Sequence, residues 1–495
     1  MASTAPARTD PARTDPARLA AYRTLRAVSA DDAYANLVLP RQLAAAGLTG
    51  RDAALATELG YGSLRALGVL DEVLRRCSSR QLADIDPAVL DLLRLGAYQL
   101  LKTRIPTHAA VATTVDLARA TGNGRAAGFV NAVLRKVAAR DFDGWCAVIG
   151  AGASPLGQLA VRYSHPGWIV GAFAEALAAE ADHEHGAEAL AAEANHEHGA
   201  EIPAAQEHGA AGNADASDEL AELERALAAD DARPETHLVG WPGLIERAEL
   251  AEQAGGTPGP YSPYAVRLTA GGEPGGLPAV RAGLAAVQDE GSQLCALALL
   301  ELPLAGRDER WLDLCAGPGG KAALLAAHTA DRGARLTANE LHPHRAELVV
   351  AATQRWPVEV LVGDARELTG SYDRVLLDAP CTGLGALRRR PEARWRRNPA
   401  DLAELTELQA GLLDAAVRLT RPGGVLGYVT CSPHLAETQA QVEQALGRHP
   451  ELELLDVRSA FAGVAGLADV PTVQLWPHRH GTDAMFFAGL RRRDA

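Results

Sequence analysis

Two cysteines about 50 residues apart, each closing a short apolar run, carry the chemical information in this chain. Cys381 stands in Asp378-Ala-Pro-Cys-Thr-Gly and Cys431 in Tyr428-Val-Thr-Cys-Ser, and both follow a Gly-rich loop, LDLCAGPGGK, over residues 312–321. Two thiols at two strand ends beside one nucleotide-type loop suggest a cofactor reaction that runs through a covalent sulfur adduct. Carbon 5 of a pyrimidine is a poor nucleophile, so methylating it needs prior thiolate attack on carbon 6. The resulting enamine-like intermediate takes the methyl group, and loss of the carbon 5 proton then expels the sulfur. Such a reaction requires a low-pKa cysteine, a proton donor for the ring and a group that helps release product. Asp378, Cys381 and Cys431 are the candidates. Against this stands the ordinary fate of free cysteine, a small buried hydrophobe, and that reading is taken for Cys77, Cys146 and Cys295, which lie in helical or linker sequence.

The loop must hold the cofactor. Asp313 lies near the end of one strand, and Gly317, Gly319 and Gly320 let the backbone turn tightly before a helix starts. Glu340 closes the next strand, where a carboxylate can take both hydroxyls of a ribose. Asp364, in Val362-Gly-Asp, closes the third and is placed to accept from an adenine amino group. Three acceptors at three strand ends point to S-adenosylmethionine. A nicotinamide dinucleotide uses the same fold and ribose carboxylate, but its loop is GxGxxG and no hydride-transfer site is evident. Lys321 is one of three lysines beside 45 arginines; directly after the loop, its compact ammonium faces either a cofactor carboxylate, a phosphate or solvent.

These residues need a scaffold. From residue 286 onward, strand-like runs alternate with helical ones (WLDLC, ARLTANEL, VEVLVG, YDRVLLDAP, GGVLGYVTCS and a terminal pair ending MFFAGL), which predicts an α/β, Rossmann-like doubly wound sheet with ligands at its carboxyl ends. Residues 19–140 are Ala/Leu-rich with helical spacing and breaks at Asp86-Pro87 and Ile105-Pro106, predicting an all-α domain. Residues 150–285 form a middle region, a small α+β module by its Gly/Pro-rich turns, interrupted at about 179–217 by a low-complexity insert in which ADHEHGAE recurs as ANHEHGAE. That insert reads as a flexible linker. Its histidines, His183, His185, His196, His198 and His208, come without cysteine or fixed geometry, so no metal is expected. Residues 1–18, a Pro/Ala/Arg/Asp repeat, read as a disordered tail.

Composition excludes several classes. No apolar stretch approaches the roughly 20 residues of a membrane span, the N-terminus lacks an apolar signal core, and six scattered cysteines form neither a disulfide framework nor a zinc pattern. A cytoplasmic protein with no membrane partner is expected. The net charge of −14 argues against nucleic acid only in bulk, because residues 175–235 hold 17 acidic residues against Arg225 and Arg233 and so carry the whole negative balance. Elsewhere, Arg388, Arg389, Arg390, Arg394, Arg396 and Arg397 crowd with Trp395 into ten residues. They are read as phosphate contacts, with Trp395 either a stacking surface for a flipped-out base or packed on the sheet edge.

LDLCAGPGGK, LLDAPCTG, RRRPEARW, YVTCS and the C-terminal LWPHRHGTDAMFF together closely resemble the RsmB (Sun) family of rRNA cytosine carbon-5 methyltransferases. The likeness covers nearly the whole chain: residues 19–140 look like the family's NusB-like RNA-binding domain, and 159–166 like the start of its middle region. The resemblance implies that Cys431 is the nucleophile, that Cys381 assists release, and that Asp378 contacts both the cofactor end of the site and the target ring. It implies S-adenosylmethionine contacts from Cys315, Ala316, Gly317, Pro318, Gly319, Gly320 and Lys321, and from Glu340, Asp364 and Asp378. The implied substrate is one cytosine of 16S rRNA, methylated by a monomer that does not act on DNA. The chain departs from the family in carrying Thr382 where Ser is common and Glu437-Thr438 where an acidic-Asn pair is common. A non-catalytic ribosome assembly factor of the same fold, or the same chemistry on tRNA, are the competing readings.

Overall fold

The computed structural model describes residues 14–196, 211–268 and 274–494. Two compact units emerge: one from the described residues up to Val170 together with Leu387–Arg396, the other from Gly171–Ala386 and the described residues from Arg397 onward. Most of the expected N-terminal tail lies outside the described residues. Its end does not: Asp15 accepts the Arg18 amide at 3.0 Å and Pro16 fills the first helical position, so helix Pro16–Ala30 starts ahead of the expected boundary.

The first unit is all-α. The Asp86-Pro87 break begins helix Pro87–Lys102, with Asp86 Oδ1 accepting the Ala88 amide at 2.8 Å. That helix puts Leu92 and Leu93, both without exposed surface, against Leu70, Val130 and Leu134 from the helices Leu67–Cys77 and Ala127–Val137. Burying such side chains contributes about 1.5–3 kcal/mol each.

The second unit holds two sheets. Strands β1 (Thr236–Gly240), β2 (Gly256–Pro258), β3 (Ala265–Leu268) and β4 (Ala285–Val287) form an antiparallel sheet in the order β2-β3-β1-β4. With helix Arg247–Ala254 this is the small α+β module of the middle region. The large sheet contains β5 (Arg310–Asp313), β6 (Arg335–Glu340), β7 (Val358–Val362), β8 (Tyr372–Asp378), β9 (Thr420–Thr430), β10 (Leu452–Leu455) and β12 (Phe486–Arg492) in the order β10-β12-β9-β8-β5-β6-β7, with β11 (Val473–Gln474) paired to β12. Strands β5 to β9 run parallel; β12 runs antiparallel to β9, and β10, antiparallel to β12, returns to the direction of the parallel strands. Helices cover both faces of the parallel part, and β8 and β9 are accordingly buried along most of their length. The chain moves outward from β5 to β7 and then returns to the other side of β5 at β8. The crevice outside the carboxyl ends of β5 and β8 is therefore the switch point, where such sheets bind ligands.

The low-complexity insert does not begin where regular structure ends. Helix Gly167–His196 runs through the first HEHG repeat and helix Ala211–Asp231 follows, with residues 197–210 outside the described part. Alanine and glutamate are strong helix formers whatever the complexity of the sequence. The side chains of the five insert histidines fall outside the described residues. Among the described residues no helix is long and apolar enough to cross a membrane, and no cluster of possible metal ligands occurs.

Candidate active site

The loop after β5 is shaped by its neighbours. Gly319 has φ +108, and a Cβ there would lie 2.7 Å from that of Ala352, so only glycine fits. At Gly317 a Cβ would come within 2.1 Å of Glu340 Oε2; instead the Gly317 amide donates to that oxygen at 3.1 Å, while Arg345 donates to the Gly317 carbonyl at 2.6 Å. The other Glu340 oxygen accepts the His342 amide at 3.0 Å. Each oxygen keeps a lone pair, enough for a pair of ribose hydroxyls. Asp364 stands one strand further on, its carboxyl held below the usual range first by hydrogen bonds from the Arg366 side chain.

Asp313, at the end of β5, has no exposed surface and neither carboxylate oxygen has a hydrogen-bond partner. Burial, and then the charge of Asp378, push its pKa up to about 7, against the smaller opposing pull of Lys321 and the nearby Cys315 amide. A buried orphan acceptor beside a Gly-rich loop fits the ammonium of a bound S-adenosylmethionine. Gln288 adds a second: its Oε1 is buried without a partner, and its amide sits about 3.5 Å from where a Gly320 Cβ would be. The sequence gives Asp313 as one of three strand-end acceptors without saying what it accepts from, and gives Gln288 no part in the site. Their signal was only position, directly before the helix Glu290–Glu301 and at a strand end.

A cation on the ligand favours ionised Asp313, so binding and deprotonation are linked. S-adenosylhomocysteine affinity measured by calorimetry is expected to rise with pH through about 7 and to fall by up to about tenfold per unit below it. Asp313→Asn should weaken binding and flatten that slope; an unchanged slope would remove Asp313 from the site. In the ligand-free protein the sign is opposite. A carboxyl whose folded pKa is raised adds stability below the unfolded value, and that contribution is lost as pH rises toward about 7.

Lys321 does not face solvent; one of its three ammonium donors is held by a carboxylate of the chain itself. It is buried, and its Nζ lies 2.8 Å from Asp378 Oδ2 at the end of β8. Burial opposes its charge, yet Asp378, and beyond it the nearby Cys295 and Cys431, hold its pKa above the ordinary lysine value. Cys315 is likewise taken up by its surroundings: burial, then Asp313, raises its thiol well above the usual range, leaving only the backbone for a ligand.

Strands β8 and β9 pair with Asp378 opposite Val429, and the Ala379 amide donates to the Val429 carbonyl at 2.9 Å. Cys381 and Cys431, just past these neighbouring ends, meet with their sulfurs 3.4 Å apart, both partly exposed. The hydrogen bond to Cys431, and secondly burial, raise the Cys381 pKa well above the usual thiol value. Cys295, by contrast, is sealed away and pushed up to about 12 by burial.

Part of the arginine cluster packs inside the helical unit. Arg394 has no exposed surface and donates through Nη1 to the carbonyls of Ser164 (3.2 Å), Tyr163 (3.3 Å) and Arg65 (3.4 Å). Trp395 Nε1 donates to the Leu64 carbonyl at 2.9 Å, and its ring fills the space over Gly68. Arg396 donates to the carbonyls of Ala33 (2.8 Å) and Val28 (2.9 Å), and pairs with Asp32 at 2.9 Å. These carbonyls lie at or near helix C-termini, which have no intrahelical partners, and a guanidinium fork satisfies several at once. Trp395 thus packs in the helical unit, on neither a base nor the sheet edge. Arg388 is buried and Arg389 half-buried; Arg390 is exposed, and Arg397 is half-buried with only a 3.9 Å ion pair to Asp401.

Residues 302–491 match the family described as 16S rRNA methyltransferase RsmB/F, and residues 15–139 match the NusB family. A Mycobacterium tuberculosis protein named as a methyltransferase is 54% identical over 96% of both chains. Ribosomal RNA small subunit methyltransferase B of Bacillus subtilis is 30% identical over 94% of this chain and 96% of its own, and that of Salmonella newport 32% over 96% and 98%. The crystal structure of PH0851 superposes with a TM-score of 0.73 over 96% of this chain and 98% of its own, at 20% identity, a likeness of fold.

Proposed function

The chain belongs to the RsmB family of S-adenosylmethionine-dependent rRNA methyltransferases, and from that premise we propose that it methylates carbon 5 of one cytosine of 16S rRNA through a transient bond between Cys431 and the base. The observation that carries this reading is the 3.4 Å approach of two sulfurs at neighbouring strand ends, with the Lys321–Asp378 pair beside them. A single thiol would serve attack alone; two in contact serve attack and release.

In this reading the target cytosine leaves its stack and enters the crevice. The Cys381 S–H and the Lys321 ammonium both favour a thiolate on Cys431. That thiolate adds to carbon 6, and the displaced π electrons make carbon 5 nucleophilic. Asp378, braced by Lys321, meets the nitrogen edge of the ring and holds its orientation. S-adenosylmethionine supplies the methyl group as an electrophilic carbon. The carbon 5 proton then passes to a water molecule in the crevice, its electron pair re-forms the ring double bond, and the carbon–sulfur bond breaks with its electrons going to the Cys431 sulfur. Cys381 receives the departing Cys431 thiolate with a hydrogen bond. Arg390, exposed, and Arg397, half-buried, are kept as candidate phosphate contacts.

The test is a bisulfite map of unmodified 16S rRNA after incubation with protein and S-adenosylmethionine, with tRNA in parallel. One newly protected cytosine in the 16S rRNA is expected. No protected cytosine in either RNA would leave the assembly-factor reading, and protection in tRNA alone would move the substrate.

A further inference from the structure

Beneath the two thiols lies a buried polar cluster that the transfer steps do not consume. Cys381 is followed by Thr382 and Cys431 by Ser432, and the two pairs face each other like rungs: sulfur to sulfur at 3.4 Å, Thr382 Oγ1 to Ser432 Oγ at 3.2 Å. Glu437, with no exposed surface, closes the second rung from below. Its Oε1 accepts the Thr382 amide at 2.7 Å and Gln409 Nε2 at 3.1 Å, and its Oε2 accepts the Thr382 hydroxyl. Gln409 also donates to the Pro380 carbonyl at 2.8 Å, and the Tyr428 hydroxyl donates to the Glu437 carbonyl at 2.8 Å.

The proton count fixes the direction of these bonds. Thr382 gives its one hydroxyl proton to Glu437, so the Ser432 hydroxyl is the donor across the 3.2 Å contact. The Ser432 oxygen in turn accepts the His434 amide at 3.2 Å. One carboxylate thereby ties the loop after β8, through Pro380 and Thr382, to the loop after β9, through Ser432 and its own backbone. Burying a carboxylate is costly, and an apolar side chain could fill the same space. What an apolar residue could not do is fix the distance between two loops that arrive from different strands.

We propose that Glu437 is a positioning residue that sets the spacing of the two sulfurs, and with it the balance between forming the RNA adduct and resolving it. This rests on the reading that Cys431 attacks and Cys381 assists release. The experiment measures kcat and KM for 16S rRNA, the fraction of protein held as denaturant-resistant RNA adduct, and S-adenosylhomocysteine affinity by calorimetry. Glu437→Ala is expected to lower kcat about 100-fold, since a displacement on the order of 1 Å at a reacting group costs that much. KM and S-adenosylhomocysteine affinity should stay unchanged, and the adduct fraction should rise because resolution depends on the approach of Cys381. Glu437→Gln should keep most of kcat: its oxygen still accepts from Thr382 and Gln409, and its amide donates to a Thr382 hydroxyl turned toward Ser432.

A wild-type kcat in Glu437→Ala would overturn the proposal. So would a loss of S-adenosylhomocysteine binding in step with kcat, or a Glu437→Gln variant no better than Glu437→Ala. Should Glu437→Ala fail to fold, Thr382→Val keeps the volume and the amide bond while removing the hydroxyl rung; a lower kcat at unchanged S-adenosylhomocysteine affinity supports the proposal, and an unchanged kcat ends it. Absence of any adduct with Cys381→Ala would instead remove the underlying reading, whatever Glu437 does.

Discussion

Cys381→Ala is expected to turn the protein into a trap for its own substrate. With S-adenosylmethionine and 16S rRNA it should accumulate a covalent protein–RNA species that survives denaturing electrophoresis, because attack by Cys431 is intact and release is not. Cys431→Ala should form no such species and lose methyl transfer by on the order of a thousandfold or more, as loss of a nucleophile generally does. The asymmetry follows from the proposed roles, in which Cys431 attacks and Cys381, its sulfur 3.4 Å away, assists release. The opposite pattern, an adduct with Cys431→Ala and none with Cys381→Ala, would exchange the two roles.

The second large effect lies far from chemistry. Arg394→Ala should destabilise the protein by about 3–5 kcal/mol, since it leaves three carbonyls with a lost donor and a cavity where a fully buried side chain stood. Denaturant titration checks this. If Arg394 were a phosphate contact, the same substitution would leave stability untouched and reduce the salt dependence of RNA binding.

That contrast marks where sequence runs out. The two thiols, Asp378, Glu340 and Asp364 were legible because strand ends in an alternating α/β pattern must converge on one crevice, so residue type and position suffice. The cofactor loop was legible for the same reason. The partners were not. Nothing in the spacing told that Lys321 would reach back across the sheet to Asp378, 57 residues later, rather than outward to ligand or solvent. Charge density along RRRPEARWRR could not separate a guanidinium facing phosphate from one facing helix-end carbonyls, for both need the same donors. Asp313 and Glu437 are two buried carboxylates with opposite surroundings, one without a hydrogen-bond partner and the other saturated with donors; composition assigns them no difference. The insert misled in another way, because repetitive sequence was equated with irregular backbone where Ala and Glu favour helix.

The ten residues Leu387–Arg396 belong to the helical unit although the rest of that unit ends at Val170. On the ribosome the two parts are made about 220 residues apart, a delay of roughly 10–40 s at ordinary elongation rates. Throughout that interval the ends of the nascent helices at Val28 and Arg65 have only solvent to bond. A fragment cut after residue 170 would stay in that unfinished condition permanently, so preparations of the amino-terminal part alone should include the decapeptide, supplied in trans or joined by a linker.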